Sequence, residues 1–134
     1  MIQGIGVDTV DIERFAGQLA RTPALRQRLF TEHERDLHIT SLAARFAAKE
    51  ALIKALGGSG SLTWHDIEIT KDDLGKPSFV PHQTLLAEMR ERGGTDVHLS
   101  LTHDGGIATA FVVMEKRTIQ HDALDAVSLR EKPL

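Results

Sequence analysis

The stretch Ser41–Gly57, SLAARFAAKEALIKALG, constrains the fold of this chain more than any other. Leu42, Phe46 and Ile53, with Leu52 and Leu56 alongside, recur at the three-and-four spacing of an amphipathic helix, and Gly57 follows as a stop signal. A core helix is predicted. At about 100° per residue, Glu50 falls beside the Leu42, Phe46 and Ile53 face, with Lys54 one turn on and only Ala43 and Ala47 below. A carboxylate and an ammonium therefore project over a groove of small residues at the edge of the core, where a ligand could approach the backbone closely.

Two readings of Glu50 and Lys54 are open on these residues alone. As an i,i+4 ion pair in the favourable order they stabilise the helix by roughly 0.2–0.5 kcal/mol. Arg45 and Lys49 favour another role, because with Lys54 they set three cations against one acid on a single short helix. That imbalance suits phosphate better than self-pairing.

A chain of 134 residues is long enough to bury a core as one domain without disulfides or structural metal. The absence of cysteine excludes thiolate catalysis and cysteine zinc sites. A net charge of −3, no tyrosine and a single tryptophan argue against nucleic acid as a partner. No basic segment leads into a long apolar run at the N-terminus, and no stretch is long enough to cross a bilayer. A soluble cytoplasmic protein without a membrane partner is the expectation.

Along the chain, Ile2–Val7 reads as a buried first strand whose glycines tolerate close backbone approach, with Asp8 at its end. A carboxylate there suits a metal ligand or catalytic base, or equally a cap or turn for the next segment. Val10–Leu19 carries a helical stripe, and Thr22-Pro23 opens a short helix to Leu29. Arg14, Arg21, Arg26 and Arg28 lie in a span from Arg14 to Phe30 without an acidic residue, a candidate docking surface for an acidic partner. Thr31 and Glu34 match a capping box, predicting a helix start there, and His33 and His38 read as surface residues.

Beyond the central helix, the glycine-serine loop Gly57–Ser61 could wrap a phosphate but lacks the Lys-Ser/Thr of a P-loop. Leu62–Thr70 and Ser78–Val80 read as strands joined by the turn KDDLGKP, whose Gly75-Lys76-Pro77 presents a cation on a rigid loop. Pro81–Arg92 is a last helix. Val97–Thr102 and Ile107–Met114 form a hairpin around Asp104-Gly105, with His103 at its mouth. The polar residues after Glu115 read as a tail, placing a single domain at 1–116 and the tail at 117–134. Helices grouped between an opening strand and a run of antiparallel strands give an α+β fold, antiparallel strands packed on a long central helix. Asp8 and Glu50, with few oxygen ligands, favour Mg²⁺ or Mn²⁺ completed by water and substrate phosphates.

Two stretches carry the reading further. GIGVDTVDIERF, Gly4–Phe15, and RFAAKEALIKALG, Arg45–Gly57, resemble the paired signatures of the 4′-phosphopantetheinyl transferases, and specifically of the short bacterial holo-acyl-carrier-protein synthases. SLTHDGGIATA, Ser100–Ala110, resembles that family's third segment and GKP its substrate loop; Thr9 and Thr102 depart from its usual aliphatic and serine residues. The resemblance implies transfer of the phosphopantetheine arm of coenzyme A to a serine of an apo acyl carrier protein, free or as a domain of a multifunctional synthase. Adenosine 3′,5′-bisphosphate is released. It also implies that Asp8 and Glu50 hold magnesium and that Lys54 lies near the pyrophosphate. Arg45, Lys49, Gly75, Lys76, Pro77 and His103 fall in its coenzyme A segments. A homotrimer with interfacial sites is implied, together with basic contacts to the carrier from the first helical region. Glu50, directly or through metal-bound water, is then the expected acceptor of the serine proton. A sugar-kinase or actin-like reading of GIGVD fails on Val10 and on length, while a non-enzymatic binding module stays open.

Overall fold

The computed structural model describes residues 1–118. All but the first two residues of the expected 117–134 tail lie outside the described residues. The opening strand β1 (Ile2–Asp11) leads into α1 (Ile12–Arg21) and α2 (Ala24–Leu29), and the long helix α3 (Ile39–Leu56) follows. A 3₁₀ turn at Trp64–Asp66 precedes the short hairpin β2 (Ile69–Lys71) and β3 (Pro77–Phe79). Helix α4 (Gln83–Glu91) and the hairpin β4 (Asp96–Asp104) and β5 (Ile107–Glu115) complete the α+β fold.

The larger sheet is antiparallel in the order β1-β5-β4. Gly105 and Gly106 turn the β4–β5 hairpin with φ of 57° and 81°, the mirror-image turn that matches strand twist. Strand β5 lies in the middle and alternates: Ala108, Ala110, Val112 and Met114 are buried, while Ile107 and Phe111 face outward. Helix α3 packs chiefly on β1 and β5. It is apolar nearly all round, and its Leu42, Ala43, Ala47, Ala48, Ala51 and Leu52 are fully buried. Phe15 stacks on Phe46 at 5.1 Å, Phe46 meets Trp64 at 5.6 Å and Phe30 meets Phe15 edge-on at 6.1 Å, closing the core around the helix.

Small residues of α3 further along, Ala51 and Ala55, receive a strand of the protein itself. A Cβ at Gly4 would overlap the carbonyl oxygen of Ala55, and one at Gly6 that of Ala51. Backbone therefore meets backbone, which only glycine on β1 permits. The strand is not buried on both faces as expected, since Ile2, Ile5 and Val7 point outward and are exposed.

Local signals that competed in the sequence are resolved by hydrogen bonding. β1 runs on through Asp8 to Asp11, and it is Asp11 whose carboxylate accepts from the Arg14 amide at 2.9 Å and caps α1. Asp8 is thus not the cap. The Thr31–Glu34 box makes only half its bonds: Glu34 accepts from the Thr31 amide at 3.0 Å, but the Thr31 hydroxyl donates to Glu68 at 2.6 Å. A turn forms instead of a helix start. Helix α3 begins at Ile39, capped by His38, whose Nδ1 accepts from the Thr40 amide at 3.2 Å. Most of the expected strand Leu62–Thr70 is likewise absent, because Asp66 accepts from the Thr63 amide at 2.7 Å and hydroxyl at 2.9 Å and coils the chain. Only Ile69 and its successors extend.

Lys49 is the largest departure from expectation. Its side chain is 0 % exposed and its ammonium lies 2.7 Å from Glu34 Oε1, itself 1 % exposed. The Trp64 carbonyl accepts from it at 3.0 Å, and the Phe30 ring lies 5.4 Å away. Glu34 Oε2 accepts in turn from the Ile69 amide at 3.0 Å, so the pair ties α3 to the smaller sheet. Burial lowers the Lys49 pKa, opposed by Glu34. Removing one member strands the other in a dry interior. Lys49→Met should lower the unfolding free energy by about 3–5 kcal/mol, measured by urea denaturation followed through Trp64 fluorescence.

Candidate active site

Alternation along β1 puts Gly4, Gly6 and Asp8 on the face that meets α3. Gly4 lies against Ala55 and Gly6 against Ala51, one helical turn nearer the N-terminus of α3. Continuing that stepping carries Asp8 to the turn of α3 that bears Glu50. Lys54 Nζ donates to Asp8 Oδ1 at 2.9 Å and to the Val7 carbonyl at 3.0 Å. Of the two readings open in the sequence, the i,i+4 pair with Glu50 gives way to an ion pair between elements.

Glu50 is half-buried and, among the described residues, has no hydrogen bond or ion pair of its own. Burial pushes its pKa up, the neighbouring Asp8 carboxylate pushes it further, and Lys54 opposes both. A carboxylate whose charge is disfavoured by burial and by a second carboxylate beside it is matched to a shared divalent cation. No group of three histidine, aspartate or glutamate side chains able to hold a metal occurs among the described residues. Two protein oxygens suit an ion such as Mg²⁺, which keeps waters and takes further ligands from a phosphate.

The remaining expected cations divide. Lys49 is spent inside the core and has no ammonium to offer a ligand. Arg45 is also buried but borders a cavity of about 440 Å³ with His33, Lys71, Val80 and His82, and its Nε has no hydrogen-bond partner. Burial lowers its pKa, with Glu34 opposing. His103 shares a smaller cavity, about 110 Å³, with Thr40, Ser41, Ala44 and Lys71 beside the first turn of α3.

Lys71 borders both cavities and was missed in the sequence, where it read as part of a turn. The available signal was strand alternation from Ile69, which puts residue 71 on the same face. Gly75-Lys76-Pro77 lies at the tip of the β2–β3 hairpin, where Gly75 has φ of 83° and Asp72 Oδ1 accepts from the amides of Leu74 at 2.9 Å and Lys76 at 2.8 Å. Arg14, Arg21 and Arg28 are exposed, and Arg14 and Arg21 border a shallow hollow with Asp11 and Glu13. Arg26 is half-buried and donates to the Arg35 carbonyl at 2.8 Å. Ile53, Leu62, Trp64 and Ile67 line an apolar cavity of about 410 Å³.

A two-carboxylate site with a lysine, held at a strand–helix contact in an α+β fold, now has a family to which it can be compared. The chain belongs to the 4′-phosphopantetheinyl transferase superfamily, whose model matches residues 4–112. Within it, the chain is 61% identical over 116 residues to the holo-[acyl-carrier-protein] synthase of Leifsonia xyli, covering 87% of this chain and 98% of the relative. The crystal structure of holo-[acyl-carrier-protein] synthase from Neisseria meningitidis is similar with a TM-score of 0.79 at 36% identity, covering 87% of this chain and all of that one. The Helicobacter pylori enzyme in complex with coenzyme A gives a TM-score of 0.73 at 30% identity, over 83% of this chain and 99% of that one.

In the Gly57–Ser61 loop the Ser61 donors are already taken. Glu88 accepts from the Ser61 hydroxyl at 2.6 Å and the Ser61 amide at 3.0 Å and pairs with Arg92. The Ser61 hydroxyl above all, then its amide and Arg92, hold the Glu88 pKa down to about 2 against an ordinary 4.5. A carboxyl depressed on folding stabilises fully above its unfolded value and loses that contribution as pH falls toward the folded one. Melting temperatures should therefore fall between about pH 4.5 and pH 2 partly through this group, and Glu88→Gln should flatten that arm of a thermal scan against pH.

Proposed function

We propose that this chain is a holo-acyl-carrier-protein synthase that moves the 4′-phosphopantetheine of coenzyme A onto a serine of an apo acyl carrier protein. The juxtaposition of Asp8, Glu50 and Lys54 across the β1–α3 contact supports this most directly. The serine oxygen attacks the phosphorus bearing the pantetheine arm, the bond to the leaving phosphate breaks, and adenosine 3′,5′-bisphosphate departs. Asp8 and Glu50 would hold Mg²⁺, which supplies charge neutralisation on the diphosphate when bound.

Glu50 accepts the serine proton. Lys54 carries its charge to the leaving phosphate. Arg45, Lys71 and His103, which line the two cavities, take the rest of coenzyme A, with Lys76 of the β2–β3 tip as a further cation for it, and the exposed Arg14, Arg21 and Arg28 meet the acidic carrier. The transferase domain spans 1–116, and the cytoplasm is the location that goes with this reading.

A homotrimer is part of the proposal. Ile5, Val7 and Phe111 are 55%, 51% and 45% exposed on the outer face of the larger sheet, where Val7 pairs with Phe111 and Ile5 with Val113. A contiguous apolar sheet face of this kind is a surface for other copies of the chain.

With coenzyme A, Mg²⁺ and an apo carrier, mass spectrometry should find the phosphopantetheine adduct. Glu50→Gln and Asp8→Asn should each slow its formation about 10²-fold or more without lowering the melting temperature. Normal transfer by Glu50→Gln would remove that residue from the chemistry. Phe111→Asp should shift the protein from trimer to smaller species in sedimentation velocity.

A further inference from the structure

We infer that the Lys54 ammonium and a divalent cation compete for the Asp8 carboxylate, so that arrival of the ion transfers Lys54 to an oxygen of the ligand's phosphate. The inference rests on the metal reading above and concerns how the site exchanges its cations. Lys54 is fixed by two acceptors on one strand, Asp8 Oδ1 at 2.9 Å and the Val7 carbonyl at 3.0 Å. The Asp8 side chain is only 18 % exposed, and the ammonium already occupies its Oδ1.

Glu50, on the same helix one turn earlier, has no hydrogen bond or ion pair among the described residues, and the neighbouring Lys54 acts on it only through its charge. An ion shared by Asp8 and Glu50 would carry two positive charges to the carboxylate that already holds a third. In a partly buried site this repulsion is only weakly screened. Lys54 is the mobile party: its side chain is 54 % exposed, and its stem can swing without disturbing α3. Once displaced, the ammonium keeps only the Val7 carbonyl, a poorer partner than a phosphate oxygen.

A coupling follows. A phosphate ligand that accepts Lys54 vacates Asp8 Oδ1 and so tightens the cation, and the cation, by releasing Lys54, tightens the phosphate ligand to the same degree. Lys54 is then a positioning residue for cation entry as well as a partner for the leaving phosphate.

The test is Mn²⁺ binding by the full-length chain, read by electron paramagnetic resonance, with and without coenzyme A. Without coenzyme A, Lys54→Met should tighten Mn²⁺ by about fivefold or more. The exposed Lys116→Gln, which removes the same charge away from the site, should change it by less than about twofold. Lys54→Arg keeps the charge but grips a carboxylate with a fork, so it should weaken Mn²⁺. Thermal midpoints check that each variant is folded.

If Mn²⁺ binds the wild-type chain and not Asp8→Asn, while the Lys54→Met and Lys54→Arg affinities equal that of wild type, the competition is overturned and the metal pair stands. If the wild-type chain binds no Mn²⁺ even with coenzyme A, the metal reading falls and the inference with it.

Discussion

The contact between the β1 backbone at Gly4 and Gly6 and the α3 carbonyls of Ala55 and Ala51 fixes everything that follows. With no side chains interposed, the strand and helix approach as closely as their backbones allow, and the next inward residue of the strand is Asp8. A side chain at either glycine would displace the carboxylate by the width of a methyl group. The distance between Asp8 and Glu50 is thus set by main-chain atoms. This is how a site is held to the sub-ångström tolerance that phosphoryl transfer needs.

Helix α3 carries a buried ion pair and, next to it in sequence, an unpaired carboxylate at the edge, and the difference lies in where adjacent residues point. Lys49 and Glu50 are about 100° apart around the axis. Lys49 enters the interior and meets Glu34, with Trp64 and Phe30 completing its surroundings. Glu50 emerges at the edge beside Asp8 and Lys54. The inner pair locks α3 to the smaller sheet and contributes nothing to a ligand, whereas the outer group keeps solvent access and exchangeable partners. One helix thereby serves as both the keel of the core and the floor of the site.

Much of the site was legible in the sequence because it follows local periodicity. The 3.6-residue repeat placed Glu50 and Lys54 on neighbouring positions of α3, and the glycines of Ile2–Val7 marked a strand that tolerates close backbone approach, with Asp8 directly after it. What local pattern does not encode is pairing at long range. Lys49 counted as a phosphate-facing cation because its partner, Glu34, lies in a turn that looked like the start of a helix. Lys71 escaped notice for a similar reason: the cavities it borders are built by α3, β4 and the residues that follow β3. Asp66 and Thr63 show the remaining kind of error, where alternation around Trp64 and Ile67 suggested a strand but side-chain bonds to the backbone coiled the chain.

The staple at the β2–β3 tip bears on how the outer rim meets a ligand. Asp72 holds the amides of Leu74 and Lys76 with a single oxygen, and the Asp72 amide itself donates to the Lys76 carbonyl at 3.0 Å. The Gly75-Lys76-Pro77 turn therefore enters any encounter with its conformational entropy already surrendered during folding. A docking molecule would freeze little more than the Lys76 stem, and its binding enthalpy would not be eroded by the ordering of a loop.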